Sequence, residues 1–179
     1  TVVDKCAKDA EEILDVIISK LLDIIPEHVF GYDDISLEES LGELLRTRGL
    51  TLASAESCTG GSIAKMITSV PGSSSYYHGS VVAYDNRIKT EVLKVDPGEI
   101  ERVGVVSREV VEQMARGVRE LMGTDTAISS SGIAGPDGGS EDKPVGTTWI
   151  CVQHGDESYA KKYRFGGTRQ RIIDQASHT

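Results

Sequence analysis

Three short apolar runs, LTLASA (50–55), SVVAYD (80–85) and DTAISSSGIAG (125–135), alternate with segments whose apolar residues recur every three or four positions. This alternation constrains the fold more than any other feature. Strand followed by helix, repeated, gives an α/β layered domain in which helices cover a sheet. Two further runs, TTWICVQ (147–153) and YAKKYRF (159–165), are joined by the turn HGDES and predict a hairpin. A hairpin is antiparallel, so the sheet is expected to be mixed.

The helical segments carry their own punctuation. Ser36 and Glu39 have capping-box spacing, followed by Leu37, Leu41, Leu44 and Leu45 as a stripe and Gly49 as a stop. TGGSIAKMITSV (59–70) begins in glycines and ends at Pro71-Gly72. IKTEVLKV (88–95) predicts a short helix before an Asp96-Pro97-Gly98 turn. Ser107 caps a helix with Val110, Met114, Val118 and Leu121 on one face, ended by Gly123. A last helix begins in TRQRIIDQASHT. Residues 1–35 stand apart: apolar positions 13, 14, 17, 18, 21, 22, 24 and 25 define one helical face, ended by Pro26, with HVFGYDD after it as a short strand and turn.

Composition removes several functions. A net charge of −9 argues against a nucleic-acid partner, which needs Lys and Arg to neutralise phosphates. No apolar run approaches the ~18 residues of a membrane span, and no signal peptide is visible. Cys6, Cys58 and Cys151 are odd in number and far apart, so neither a disulfide framework nor a zinc site is indicated. The expected setting is cytoplasmic and reducing, without membrane or metal.

Four stretches hold candidate chemistry. SAESCTGGSIAK (54–65) offers Ser57, Cys58 and Thr59 as nucleophiles or as helix caps, and its Gly60-Gly61 helix start as an anion cradle. In GSSSYYHGSVVAYDNRIK (72–89) a serine, Tyr84 and Lys89 could make a Ser-Lys pair, or an exposed turn and a solvated lysine. SSSGIAGPDGGSEDKPVGTT (129–148) is a long Gly-rich loop after a strand, with Ser129–Ser131 and Lys143 as polar contacts; a mobile surface loop is the competing reading. FGGTRQR sets Arg169 and Arg171 at a helix start, where a phosphate would be bound, or where an arginine is simply exposed.

Taken in order, AESCTGG, PGSS, AYDNRIK, GVVS, SGIAGPDGGSEDKPVGTTW and FGGTR closely resemble the CinA C-terminal domain, the nicotinamide mononucleotide deamidase (PncC-like) family, over roughly residues 37–175. The resemblance implies a three-layer α/β/α sandwich with a mixed sheet. It implies a C-terminal deamidase domain at 36–179, preceded at 1–35 by the remnant of a KH-like domain of a full-length CinA. The implied activity is hydrolysis of the carboxamide of nicotinamide mononucleotide to nicotinic acid mononucleotide and ammonia, in pyridine nucleotide recycling, without cofactor or metal. By motif the catalytic group is Ser74 with Lys89 as base and Tyr84 between them. Ser57, Thr59, Gly60, Gly61, Ser131, Gly132 and Arg169 fall on substrate-binding positions, with the phosphate expected at the Gly-rich helix start beside Arg169. Ser131 stands where many relatives carry Thr, and GGTR lacks the acidic residue others place before the arginine. A homodimer or higher homo-oligomer is implied. The alternative expectation is a non-catalytic nucleotide-binding or interaction module of a competence- or damage-inducible CinA protein.

Overall fold

The structure, a computed structural model, describes residues 2–25, 29–31 and 34–179, with side chains from residue 9 onward. The chain forms two compact units, Thr1–Ser40 and Leu41–Thr179, against an expected boundary after residue 35. The first holds α1 (Val2–Ile24) and the start of α2 (Leu37–Arg48). The capping box of α2 is formed: Ser36 N–H donates to Glu39 Oε2 at 2.9 Å and Glu39 N–H to Ser36 Oγ at 3.3 Å. The expected helix stop at Pro26 lies outside the described residues. Val29–Gly31 are not a strand, and the rest of that expected segment is described only at Asp34.

The second unit is built on a five-stranded mixed sheet in the order β2-β1-β3-β4-β5. The strands are β1 (Leu52–Glu56), β2 (Tyr77–Val82), β3 (Thr126–Gly132), β4 (Thr147–His154) and β5 (Glu157–Arg164). β2, β1 and β3 are parallel, while β4 and β5 add antiparallel on the far side. Helices α3 (Ser62–Ser69), α4 (Pro97–Val103), α5 (Arg108–Met122) and α6 (Arg169–Ser177) complete the layers.

Strand alternation assigns the two faces. Ala53, Ala55, Ala127 and Cys151 pack under Val110, Val111, Met114, Ala115 and Val118 of α5. On the other face Leu52, Ile63, Ile67, Leu45, Tyr76 and Tyr77 form a second core beneath α2 and α3. Small residues on β1 let α5 approach closely, which suits a chain with only 5% aromatic residues. In α2 the buried positions are Gly42 and Leu45, with Leu44 exposed, because Gly42 lies against the Tyr76 ring.

Two local expectations change. Asp96-Pro97-Gly98 opens α4 rather than making a plain turn: the Asp96 side chain accepts from Gly98 N–H and Pro97 supplies a preset φ at the first helical position. Residues 88–95 contain a π-helical turn, Ile88–Val92, a geometry frequent at functional sites. At Gly117 in α5, an added Cβ would run into the Leu93 backbone. Helix propensity favours Ala by ~1 kcal/mol, but rigid backbone cannot yield. Gly117→Ala is therefore expected to lower stability by at least about 2 kcal/mol in urea unfolding, reversing the sign propensity predicts.

Candidate functional site

Three parallel strands end on one edge of the sheet. β1 is central; its connections lead to β2 on one side and, through β2, α4 and α5, to β3 on the other. That is a topological switch point, where α/β sheets open a crevice at the carboxyl ends of their strands. A pocket of about 180 Å³ lies there, lined by Ser57, Cys58, Tyr84, Asn86, Lys89, Val105, Gly132, Ala134 and Arg169. Ser57 directly follows β1, Tyr84 lies two residues past β2, and Gly132 ends β3. A larger groove of about 400 Å³ runs between residues 140–144 and β5, but Glu141, Asp142, Lys162 and Arg164 in it are all exposed. Of these two, the smaller contains a buried base.

That base is Lys89, 1% exposed. The π-helical turn directs its side chain inward, where Nζ donates to Ala83 O at 2.6 Å. Burial pushes its pKa below the ordinary lysine value, opposed by the carboxylate of Asp85. Ser57 is partly buried, and its hydroxyl forms no hydrogen bond with the described residues. Its backbone N–H is anchored to Ser130 O at 3.0 Å. Cys58 is buried, and burial raises its thiol to about 11, so it stays protonated and unreactive near neutrality. Arg169, the first residue of α6, donates from Nη1 to Gly135 O at 2.7 Å and from Nη2 to Tyr84 Oη at 2.9 Å. Tyr84 is 63% exposed at the pocket mouth.

The structure thus brings Ser57, Lys89, Tyr84, Gly132 and Arg169 together, and it departs from the sequence reading at five residues. Ser74 is not in the pocket. It is exposed in the 3₁₀ turn Ser73–Ser75, before β2, whereas Lys89 follows β2. The six residues of β2 separate the two sheet edges by roughly 20 Å at about 3.3 Å per residue. The Ser74–Lys89 pair is therefore not formed.

The Gly-rich helix start is not an anion cradle either. Glu56, fully buried, already occupies it. Its carboxylate accepts from the backbone N–H groups of Gly61 (2.9 Å), Ile63 (3.1 Å) and Ala64 (2.8 Å) and from Thr59 Oγ1 (2.8 Å). Gly60 N–H and Ser62 N–H are taken by Ser57 O and Thr59 O. A carboxylate on the positive end of α3 satisfies its free donors and repels a second anion. Thr59, Gly60 and Gly61 consequently support the site from inside. Thr59 Oγ1 also lies 2.7 Å from Ser130 Oγ, tying the start of α3 to β3.

Ser131 faces the opposite side of the sheet from Ser130, as strand alternation requires. Its hydroxyl donates to Val105 O at 2.8 Å and holds a pocket wall rather than lining the pocket. Sequence reasoning missed Glu56, Asn86, Val105 and Ala134. Glu56 had a signal: a helix opening on two glycines has no side-chain cap of its own, so an acceptor must come from nearby. Among the described residues no group of three or more His, Cys, Asp or Glu is arranged to hold a metal, and no helix is long and apolar enough to cross a membrane.

Comparison with known proteins agrees with this architecture. The CinA-like protein of Cytophaga hutchinsonii is 50% identical over 156 residues, covering 87% of this chain and 37% of that protein. The CinA-like protein of Desulfotalea psychrophila is 43% identical over 179 residues, covering 98% and 43%. The chain thus spans about two fifths of the length of the curated relatives it matches. Among solved structures, competence damage-inducible protein A of Klebsiella pneumoniae superposes with a TM-score of 0.77 at 32% identity, covering 79% of this chain and 88% of that one. The competence/damage-inducible protein of Agrobacterium tumefaciens gives 0.72 at 32% identity, covering 82% and 95%. The model of the CinA C-terminal domain family matches residues 34–179, and the chain belongs to that family.

Proposed function

We propose that this domain is an amidohydrolase that converts nicotinamide mononucleotide to nicotinic acid mononucleotide and ammonia, with Ser57 as nucleophile and Lys89 as its base. The observation that carries the reading is a buried lysine, depressed by desolvation, sharing a pocket with a serine whose hydroxyl is uncommitted. A serine attacks only when something takes its proton, and an uncharged lysine can do so.

Lys89 Nζ takes the proton of Ser57 Oγ, and Oγ bonds to the carboxamide carbon. The carbonyl π pair moves to oxygen. The oxyanion is assigned to the backbone N–H groups of Cys58 and Thr59, which lie against the Cys58 thiol and enter no backbone–backbone hydrogen bond among the described residues. Collapse breaks the C–N bond, and the proton on Lys89 goes to the leaving nitrogen to give ammonia. Water then loses a proton to Lys89 and adds to the ester carbon; the C–Oγ bond breaks, the proton on Lys89 returns to Ser57 Oγ, and nicotinic acid mononucleotide leaves. The pyridinium ring would be flanked by Val105 and Ala134. With the start of α3 already filled by Glu56, Arg169 is the cation left to meet the phosphate.

Only neutral Lys89 can accept a proton, so the rate must rise with pH below its pKa. Measured as ammonia release, kcat/KM is expected to climb about tenfold per pH unit on the acid limb and to level off below the ordinary lysine value of about 10.4. Lys89→Met is expected to remove that limb with the activity. A wild type that releases ammonia with no acid limb down to the lowest pH at which the domain stays folded would reject a lysine base. Binding of the mononucleotide without ammonia release would point instead to a nucleotide-binding module.

A further inference from the structure

Three successive carbonyls on the segment carrying the Val105 wall are each held by a side chain from a different part of the chain. Lys143 Nζ donates to Val103 O at 2.5 Å, Ser107 Oγ to Gly104 O at 2.9 Å, and Ser131 Oγ to Val105 O at 2.8 Å. Val103 ends α4, and only residues 104–107, between it and α5, lie outside regular structure. Gly104 takes a φ of 77° there. Ser107 belongs to the cap of α5 and Ser131 to β3, so both are parts of the framework. Lys143 reaches in from the 133–146 loop and is the one charged donor of the three.

That loop is a closed body rather than a loose tether. Gly146 N–H donates to Ile133 O at 2.7 Å and Ile133 N–H to Thr147 O at 2.9 Å, closing its neck. Ser140 and Lys143 are joined through Ser140 N–H to Lys143 O at 3.0 Å and Lys143 N–H to Ser140 Oγ at 3.1 Å. The same loop presents Gly135 O to Arg169. One loop therefore reaches both sides of the pocket: Lys143 holds the end of α4 at Val103, two residues before Val105, and Gly135 O accepts from Arg169.

We propose that Lys143 is a positioning residue that holds the Val105 wall at a set distance from Arg169, and so sets how tightly the pocket grips the mononucleotide. This rests on the reading of that pocket as the substrate site. Lys143 does not line the pocket and takes no part in proton transfer. Its bond is charge-assisted and partly buried, which makes it stronger than a neutral hydrogen bond in water. Losing it removes the brace on the end of α4 that leads into Val105, without altering Ser57 or Lys89, so the effect belongs in binding rather than in chemistry.

The test compares wild type, Lys143→Met and Lys143→Arg for ammonia release from nicotinamide mononucleotide, for calorimetric Kd of that compound, and for Tm. Lys143→Met is expected to raise KM and Kd about tenfold, as loss of a charge-assisted hydrogen bond implies, with kcat within about twofold. Lys143→Arg should recover most of the affinity. A lower Tm with unchanged KM and Kd would mean an ordinary structural contact and overturn the proposal while leaving the hydrolase reading intact. Weakened binding by Lys143→Met in a wild-type background that releases no ammonia would overturn the hydrolase reading alone. A wild type that fails to bind the mononucleotide overturns both.

Discussion

Ser57→Ala is expected to lower kcat for ammonia release from nicotinamide mononucleotide by at least about 10³-fold, while Ser74→Ala leaves it within about twofold. Removing a nucleophile that acts with its base as a unit forfeits the whole covalent route, which is why the effect is large. The two variants are matched controls. The Ser57 hydroxyl forms no hydrogen bond with the described residues, and Ser74 is exposed in a surface turn, so neither substitution should disturb the fold. Circular dichroism and urea midpoints are expected to stay at wild-type values for both. Ser57→Cys would sharpen the result. A thiol at that position would be a different nucleophile beside the same lysine, and it should show altered but measurable turnover or a burst of acyl-enzyme. The reverse pattern, with Ser74→Ala inactive and Ser57→Ala active, would require Ser74 to travel the length of β2 to reach Lys89 and would sink the assignment.

The layered α/β class and the mixed sheet were legible because alternation and helical period are properties of short windows. Ser107 and Gly123 mark α5 to the residue, and the Ser36–Glu39 box marks α2. The site was legible as a set of motifs and was misread in its wiring. In a β-α-β unit the helix carries the chain back to the starting edge of the sheet. Any residue between the end of α3 and the start of β2 must therefore lie opposite the carboxyl ends of the strands, and Ser74 occupies such a position. Ser57, one residue past β1, and Lys89, seven residues past β2, lie at the carboxyl ends of the strands by the same rule. Topology could have chosen between the serines where motif order could not. Ser131 was misread for a related reason: neighbouring strand residues face opposite sides, so Ser130 and Ser131 cannot both look toward α3. The inward turn of Lys89 was beyond reach, since nothing in IKTEVLKV distinguishes a π-helical turn from an α-helical one.

Glu56→Ala should cost about 3–5 kcal/mol of folding stability. The side chain is fully buried, and its two oxygens accept from three backbone N–H groups of the α3 start and from Thr59 Oγ1. Ser54 Oγ and Ser80 Oγ approach the same carboxylate at 3.4 Å. Alanine leaves these donors without a partner and opens a polar void between β1 and α3. Each orphaned buried donor costs about 1–3 kcal/mol, partly offset where water enters. Glu56→Gln keeps one acceptor oxygen but turns an NH₂ toward backbone N–H groups, so an intermediate loss is expected, with donor facing donor. The effect should also reach the chemistry. Glu56 is the residue before Ser57, and the Gly60-Gly61 turn it braces sets where Ser57 points, so kcat should fall in Glu56→Gln even at temperatures where the variant is fully folded. Urea unfolding at constant m-value together with ammonia release measured well below the midpoint separates the two losses. A Glu56→Ala loss under about 1 kcal/mol would mean that water replaces the carboxylate at the helix start, and it would reopen that start to an anionic ligand.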